Sequence, residues 1–289
     1  MKPSFASLPR YLILLLLSAL AVGPFAWLLV TALRGSQEAV FSWPPSFWPA
    51  SPTLSHFIDV WRAAPMGDYL INSMAMSTLA VGCNVFLSVL AGYPLARMHF
   101  AGKQLLLVLI ILAMLLPFQV LLIPLYLLFQ HLGLSGDGGG LLGSWLPHRL
   151  AAWVGMALPF AVSSFGMLMV RQTLLSIPAS LEESAVLEGC NSLQLLWHVH
   201  LPQLRATLSV LAIFTFMAVW GELLWPSVLV GNGRYYPFSV GLVQLQGLFS
   251  TNWRLIAAGT LLSILPVLMV FMVAQRQFMS GSLEGAVKG

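Results

Sequence analysis

Residues 176–202 read SIPASLEESAVLEGCNSLQLLWHVHLP, a polar stretch placed between two long apolar segments. Ser180 with Glu183 three residues later has the form of a capping box, and Asn191 with Gln194 repeats it, so each half carries its own helix start signal. Gly189 lies between the halves, where a sharp reversal needs it. Glu182 and Glu183 fall in the first turn of the first helix, where the macrodipole favours negative charge. Pro202 is expected to end the second helix. Taken alone, these residues make two short amphipathic helices joined at Gly189, suited to lying on a bilayer surface. His198 and His200 are two residues apart, so on a helix they point to different faces and do not share a metal. No G-x-x-x-x-G-K-[ST] occurs, and the Gly138-Gly139-Gly140 run lacks the Lys and Ser/Thr that must follow, so it reads as a flexible external turn. Catalytic residues, metal ligands and a cofactor site are therefore not assigned to this chain, which is not read as an enzyme.

Two further polar groups lie in apolar surroundings. Glu222 sits in the run Trp220-Gly221-Glu222-Leu223-Leu224-Trp225-Pro226. A carboxylate at membrane depth costs roughly 2.5–3.5 kcal/mol on insertion scales, so it must face water, a partner or an interhelical donor. Beside aromatic faces it suits either a sugar-contacting path or the anchoring of a helix end. Gln119 lies between Pro117 and Pro124. Those prolines remove backbone donors and predict a bent helix beside a cavity. The amide of Gln119 then has two roles open to it, a hydroxylated solute or another helix.

The elements that must position these groups are membrane spans. Hydrophobic residues make up 58% of the 289 and charged residues 8%, against roughly 45–50% and 25% in an ordinary soluble domain. Apolar runs near the ~20 residues a bilayer requires occupy 11–33, 70–91, 104–130, 151–170, 207–230 and 255–274. The fold class is therefore all-α, a single polytopic membrane domain over 1–289 with six spans and a polar loop at about 176–204 between spans four and five. Six spans put both termini on one side. Lys2, Arg10, Arg97, Lys103, Arg171, Arg205, Arg276 and Lys288 share that side, while Arg34, Arg62, Arg149, Arg234 and Arg254 fall on the other. The larger basic set marks the cytoplasmic face, which places both termini and the 176–202 segment inside. Apolar residues continue through Val30, past Ala19-Leu20-Ala21, so the first span reads as an uncleaved helix and not as a signal peptide. Cys83 and Cys190 lie in a span and in the loop, so they do not pair. The net charge of +4 gives no reason to expect nucleic acid. Internal repeats are not visible. The largest external segment, 34–69, is rich in proline and aromatics, including Phe41, Trp43, Pro44, Pro45, Phe47 and Trp48. It suits an interfacial belt or a surface that meets a partner outside the membrane.

The loop also has the spacing of a known signature. Glu183, Ala185 and Gly189, then Val199 and Leu201-Pro202, resemble the E-A-A-x-x-x-G…I-x-L-P pattern in the membrane subunits of bacterial ATP-binding-cassette importers. Ser184 replaces the first alanine and Glu188 the usual aspartate; Cys190 stands where alanine is usual. Asn72-Ser73, Gly92-Tyr93, Leu95-Ala96-Arg97, Phe100, Pro117, Gln119, Pro124 and the Trp220–Pro226 run are similar to the carbohydrate-uptake branch of these permeases. So are Pro237, Gly241, Trp253, Gln275-Arg276 and the terminal Gly285-Ala286-Val287-Lys288-Gly289. The match resembles the second of two unlike permeases, the type without a large periplasmic insertion.

The resemblance implies a type I importer permease fold in the bacterial inner membrane. It also implies a second non-identical permease, two copies of a cytoplasmic ATPase that hold ATP and Mg, and a solute-binding protein delivering a carbohydrate-type substrate. Glu183, Ala185, Glu188, Gly189, Asn191, Leu201 and Pro202 would then couple the chain to the ATPase. Gln119, Trp220 and Glu222 would be candidates for the translocation path. The main alternative from span count and membrane carboxylate alone is an ion-gradient-driven secondary transporter. That alternative predicts paired inverted repeats and a buried midplane carboxylate, neither of which is visible.

Overall fold

The structure, a computed structural model, describes residues 8–43, 46–246 and 251–286. Lys2, Pro44, Pro45 and Val287-Lys288-Gly289 lie outside the described residues, as does the side chain of Arg276. In chain order the helices are α1 (Leu8–Leu33), α2 (Ser55–Ala63), α3 (Met66–Arg97), α4 (Lys103–Met114), α5 (Phe118–Leu132), α6 (Gly140–Gly143) and α7 (His148–Ala157). They continue with α8 (Ser164–Ser176), α9 (Ala179–Leu187), α10 (Ser192–Gln194), a π-helical turn (Leu195–His200), α11 (Leu201–Trp220), α12 (Leu224–Leu229), α13 (Phe238–Gln244) and α14 (Trp253–Ala286). Among the described residues the β pairing amounts to one bridge, Gln246 with Thr251.

Four stretches are single helices long and apolar enough to cross a membrane: Pro9–Leu33, Met66–Arg97, Ser192–Trp220 and Trp253–Val273. Counting each of two bent pairs as one span raises the number to six. The third run, expected to bend at its prolines, is broken: α4 and α5 meet at 99°. Pro117, with ψ 133°, cannot continue α4 and instead stands ahead of α5, which runs through Pro124 as a helix. The expected fourth span is broken too, by 56° between His148–Phe160 and Ser164–Ser176. Pro159 sits in a 3-10 turn, and the Ser163 hydroxyl accepts from the Gly166 N–H at 3.1 Å to start α8. The fifth departs in the same way, because α11 stops at Trp220 and α12 restarts at Leu224.

The chain divides into two compact units. The first comprises residues 1–67 and 241–265. There the buried Arg34 donates to the carbonyls of Ala39 and Ser46, and its guanidinium lies 5.4 Å from the Trp27 ring centre. The Glu38 carboxylate accepts from Ser51 N at 2.7 Å and Ser51 Oγ at 2.8 Å, and from the Ala50 and Gly35 N–H groups. These donors, led by Ser51, hold its pKa down at about 2. The pinned loop leaves Trp43 and Trp48 exposed.

The second unit, 68–240 and 266–289, contains the polar segment. One core gathers Met76, Phe129, Met156, Val219, Trp225 and Leu229, and another Val89, Ala96, Val170, Leu174, Ile177 and Leu204. Helix α8 lies close against α3 because Gly92 and Gly166 have no side chains. A Cβ on Gly92 would come within 2.8 Å of Val170 Cγ1, and one on Gly166 within 2.3 Å of Ser88 Oγ. At the other end of α3, Asn72 is fully buried. Its amide donates to the carbonyls of Arg234 and Tyr236 and accepts from Arg149 and Trp153, while Ser73 Oγ accepts from the Phe238 N–H. The Asn72-Ser73 pair thus staples the start of α3 to two neighbouring segments.

Candidate functional site: the 176–202 segment and the helix breaks

Helix α9 begins at Ala179 with Pro178 ahead of it and no side-chain cap, so the expected Ser180/Glu183 capping box does not form. Pro178 already fixes the extended entry, which puts Ser180 one residue inside the helix. Its carbonyl accepts from Ser184 Oγ at 2.8 Å. Of the two carboxylates expected in the first turn, Glu182 is there and Glu183 falls just past it, because the helix starts at Ala179. Helix α9 ends at Leu187 with Glu188 as its C-cap, and Gly189 takes φ +91°. Gly189 N–H bonds to Val186 O at 2.9 Å and Cys190 N–H to Ala185 O at 3.0 Å, the paired bonds of a Schellman turn. The reversal predicted at Gly189 is therefore a left-handed backbone position. Space is not the constraint, since a Cβ there would meet nothing within 4 Å.

The second expected box is present. Asn191 Oδ1 accepts from Gln194 N–H at 2.9 Å, and Gln194 Oε1 accepts from Asn191 N–H at 2.8 Å. Pro202 does not end this helix. It occupies the second position of α11, and Ser192–Trp220 runs through as one helix of 29 residues. The π-helical turn at 195–200 explains this, because a widened turn relieves the clash and the lost donor that proline brings to a regular α-helix. The second half of the expected loop is therefore the first turns of a span. Leu201 packs against the core around Leu174 and Leu204, while Pro202 is exposed. His200 is buried and His198 exposed, on different faces as expected. Both Cys83 and Cys190 are free thiols.

No residue of α9 is buried. Leu187 is 88% exposed, Val186 55% and Leu181 45%, and Leu193 just beyond is 68% exposed. Glu183 and Glu188 are exposed and Ala185 half-buried. The segment thus presents an apolar surface edged by carboxylates and left uncovered among the described residues. Glu182, which spacing did not single out, is 2.6 Å from Arg97 Nε and 3.6 Å from His200 Nε2. The shared cytoplasmic assignment of Arg97 and the segment was the signal that could have paired them.

The other candidates gather near the helix breaks. Glu222 is half-buried between α11 and α12. Its Oε1 accepts from the Trp225 N–H at 3.0 Å, and its carbonyl accepts from Ser239 Oγ at 2.6 Å. The carboxylate therefore caps α12, which is the helix-anchoring role. An isosteric amide keeps an acceptor oxygen, so Glu222→Gln is expected to leave the melting temperature of the purified protein unchanged, whereas Glu222→Ala removes about 0.5–2 kcal/mol. Trp220 is 6% exposed, its ring stacked on Phe216 at 5.5 Å. Gln119 is exposed in the first turn of α5. Its neighbour Phe118 packs on Phe160 at 5.6 Å and on Trp225 at 6.1 Å. The three breaks, at 115–117, 158–163 and 221–223, thus meet around one aromatic group. A cavity of about 310 Å³ opens beside the second break, lined by Asn84, Phe160, Ser163, Phe214, Thr215 and neighbours. Unwound backbone at membrane depth is tolerated where it is buried or lines a cavity.

Residues 84–280 match the family described as binding-protein-dependent transport system inner membrane component. The chain is 30% identical over 268 residues to the probable ABC transporter permease protein YurM of Bacillus subtilis, covering 92% of this chain and 83% of that protein. It is 31% identical over 270 residues to the diacetylchitobiose uptake system permease protein DasC of Streptomyces coelicolor, covering 93% and 92%. Its backbone superposes with TM-score 0.78 on a chain of a bacterial ABC transporter involved in the import of the acidic polysaccharide alginate, at 20% identity over 96% of this chain and 99% of that one. The last likeness shows a shared fold. With helices apolar enough to span a membrane and two thirds of its length matched, this chain belongs to the binding-protein-dependent transport system inner membrane components, as a multi-pass permease.

Proposed function

We propose that this chain is the permease subunit of an ATP-driven importer that carries a sugar, or a related polyol or glycoside, handed over by a solute-binding protein. The carbohydrate class follows the similarity to the diacetylchitobiose permease. It works beside a second, non-identical permease in the bacterial inner membrane, both termini facing the cytoplasm, and two cytoplasmic ATPase subunits hold the ATP and Mg. The supporting observation is α9, a helix with no buried residue and with Leu181, Val186 and Leu187 exposed, joined by a left-handed reversal at Gly189 to a membrane-compatible helix. Burying apolar surface yields roughly 25 cal/mol per Å², which favours a partner over water. Closure of the ATPase dimer would displace α9 and the helix starting at Asn191. The rigid continuity of Ser192–Trp220 would carry that displacement into the membrane, toward the break at Glu222.

Energy source is the direct test. The purified chain alone is expected to hydrolyse no ATP, because it lacks a phosphate-binding loop. The complex with its ATPase should hydrolyse ATP faster when loaded binding protein is added. Uptake that survives removal of the ATPase but collapses with the proton gradient would replace this reading with the secondary transporter.

For the path, Glu222→Gln separates two roles. Its cap is retained, so a change in the relative transport of several sugars at unchanged melting temperature assigns the carboxylate to the solute. Unchanged transport leaves it as a helix cap alone.

A further inference from the structure

We propose that Arg97 is a positioning residue that ties the docking helix to α3, so that losing it disconnects ATP hydrolysis from solute movement while the complex stays assembled. The proposal rests on the importer reading above.

Helix α9 contributes no buried side chain, and of its apolar residues Ala185 alone is half-buried, so apolar packing holds it weakly. Among the described residues, the ion pairs of α9 are those of Glu182. Arg97 Nε approaches Glu182 Oε1 at 2.6 Å, with the two side chains 17% and 21% exposed. The same guanidinium donates through Nη2 to Leu174 O at 2.7 Å and to Ile177 O at 2.9 Å, the last carbonyls around the end of α8. One planar fork therefore joins α3, α8 and α9, a task that suits arginine and not a point charge such as lysine. His200, fully buried against the Tyr93 ring at 5.4 Å, closes the far side of Glu182 and brings in the π-helical turn.

Helix α3 gives this junction its reach. From Arg97 to the buried Asn72 is about 37 Å at 1.5 Å per residue. At the Asn72 end the helix is bonded to the carbonyls of Arg234 and Tyr236. A displacement of α9 thus has a stiff, hydrogen-bonded route along α3 to the opposite end of this unit, in parallel with the route through α11. Without Arg97, α9 keeps its own fold and its exposed face, but the first route is cut.

The test uses the whole complex, with ATPase and second permease, in proteoliposomes carrying Arg97→Ala, Glu182→Ala, both together, or Arg97→Lys. Expected is co-purification of the ATPase as in the wild type, with basal hydrolysis retained. ATP consumed per solute imported should rise about tenfold, the scale of coupling between distant sites. The double variant should match Arg97→Ala, in which the contact to Glu182 is already lost, and Arg97→Lys should fall between the wild type and Arg97→Ala. A wild-type ratio in Arg97→Ala, or additive effects in the double variant, would overturn the proposal. Should Arg97→Ala fail to assemble, Arg97→Lys decides: an intermediate ratio supports the proposal and a wild-type ratio overturns it. A wild-type complex whose hydrolysis ignores loaded binding protein would remove the importer reading and this inference together. Normal stimulation with an unchanged ratio in the variants removes the inference alone.

Discussion

Replacing Gly189 with valine is expected to abolish uptake while leaving a normal amount of the chain in the membrane. Gly189 has φ +91°, and a Cβ built on it meets no atom within 4 Å. Crowding is therefore absent, and the whole cost is backbone strain. That strain is about 1–2 kcal/mol for an ordinary L-residue in the left-handed region, and more for a β-branched one. It is too small to unfold a membrane bundle. It is large enough to reopen the turn whose bonds run from Gly189 to Val186 and from Cys190 to Ala185. Once that turn opens, the exposed Leu187 and Leu193 no longer present a fixed surface. Asparagine tolerates the left-handed region, so Gly189→Asn should keep most uptake and Gly189→Ala should lie between. Labelled-solute uptake, normalised to chain detected in the membrane, checks the order. Normal uptake by the valine variant would remove the coupling role from this segment.

How much of this was written in the sequence depends on the range of the interaction. Six apolar runs reappear as membrane-compatible helices because composition over ~20 residues is a local property. Their continuity was not readable. Pro117 was expected to bend a helix, and it turns one by 99°. Pro124, the same residue type seven positions on, stays inside α5. The difference lies in context, since α5 continues past Pro124 with Phe129 buried in the core, whereas the exposed Leu115-Leu116 have no such packing to hold a helix through Pro117. Pro202 was expected to stop a helix and does not, because a π-helical turn before it absorbs the defect. A π-helical turn has no composition of its own to read.

The polar segment divides along the same line. Asn191 and Gln194 are three residues apart and their reciprocal bonds form as the spacing predicted. Ser180 and Glu183 have equal spacing, yet Pro178 takes over the start of the helix and Ser180 falls inside it. The Arg97–Glu182 pair spans 85 positions in sequence, and only the fold brings the two groups to 2.6 Å. Glu222 was open to a path role or an anchoring role, and its bond to the Trp225 N–H gives it the second whatever its part in the first.

That bond leads to the side chain with the most to lose. Trp225→Ala is expected to be the most destabilising single change near the helix breaks. The indole is fully buried, and its Nε1 donates to Gly155 O at 3.1 Å. Its ring meets Phe129 at 5.3 Å and Phe118 at 6.1 Å, both edge-on. Phe118 begins α5 after the first break, Gly155 lies in α7 just before the second, and Trp225 lies in α12 just after the third. One side chain therefore fills the space that three interrupted helices share, and a small residue there leaves a cavity that those helix ends cannot close without losing their caps. Large-to-small core changes of this size cost about 3–5 kcal/mol. Trp225→Phe keeps most of the volume but leaves the Gly155 carbonyl without its donor, a loss of about 1–3 kcal/mol. Melting of the detergent-purified complex should therefore rank wild type above phenylalanine and phenylalanine above alanine. If both variants melt with the wild type, the breaks are held by other contacts. The aromatic group would then be free to rearrange as the path opens, and transport should tolerate both substitutions.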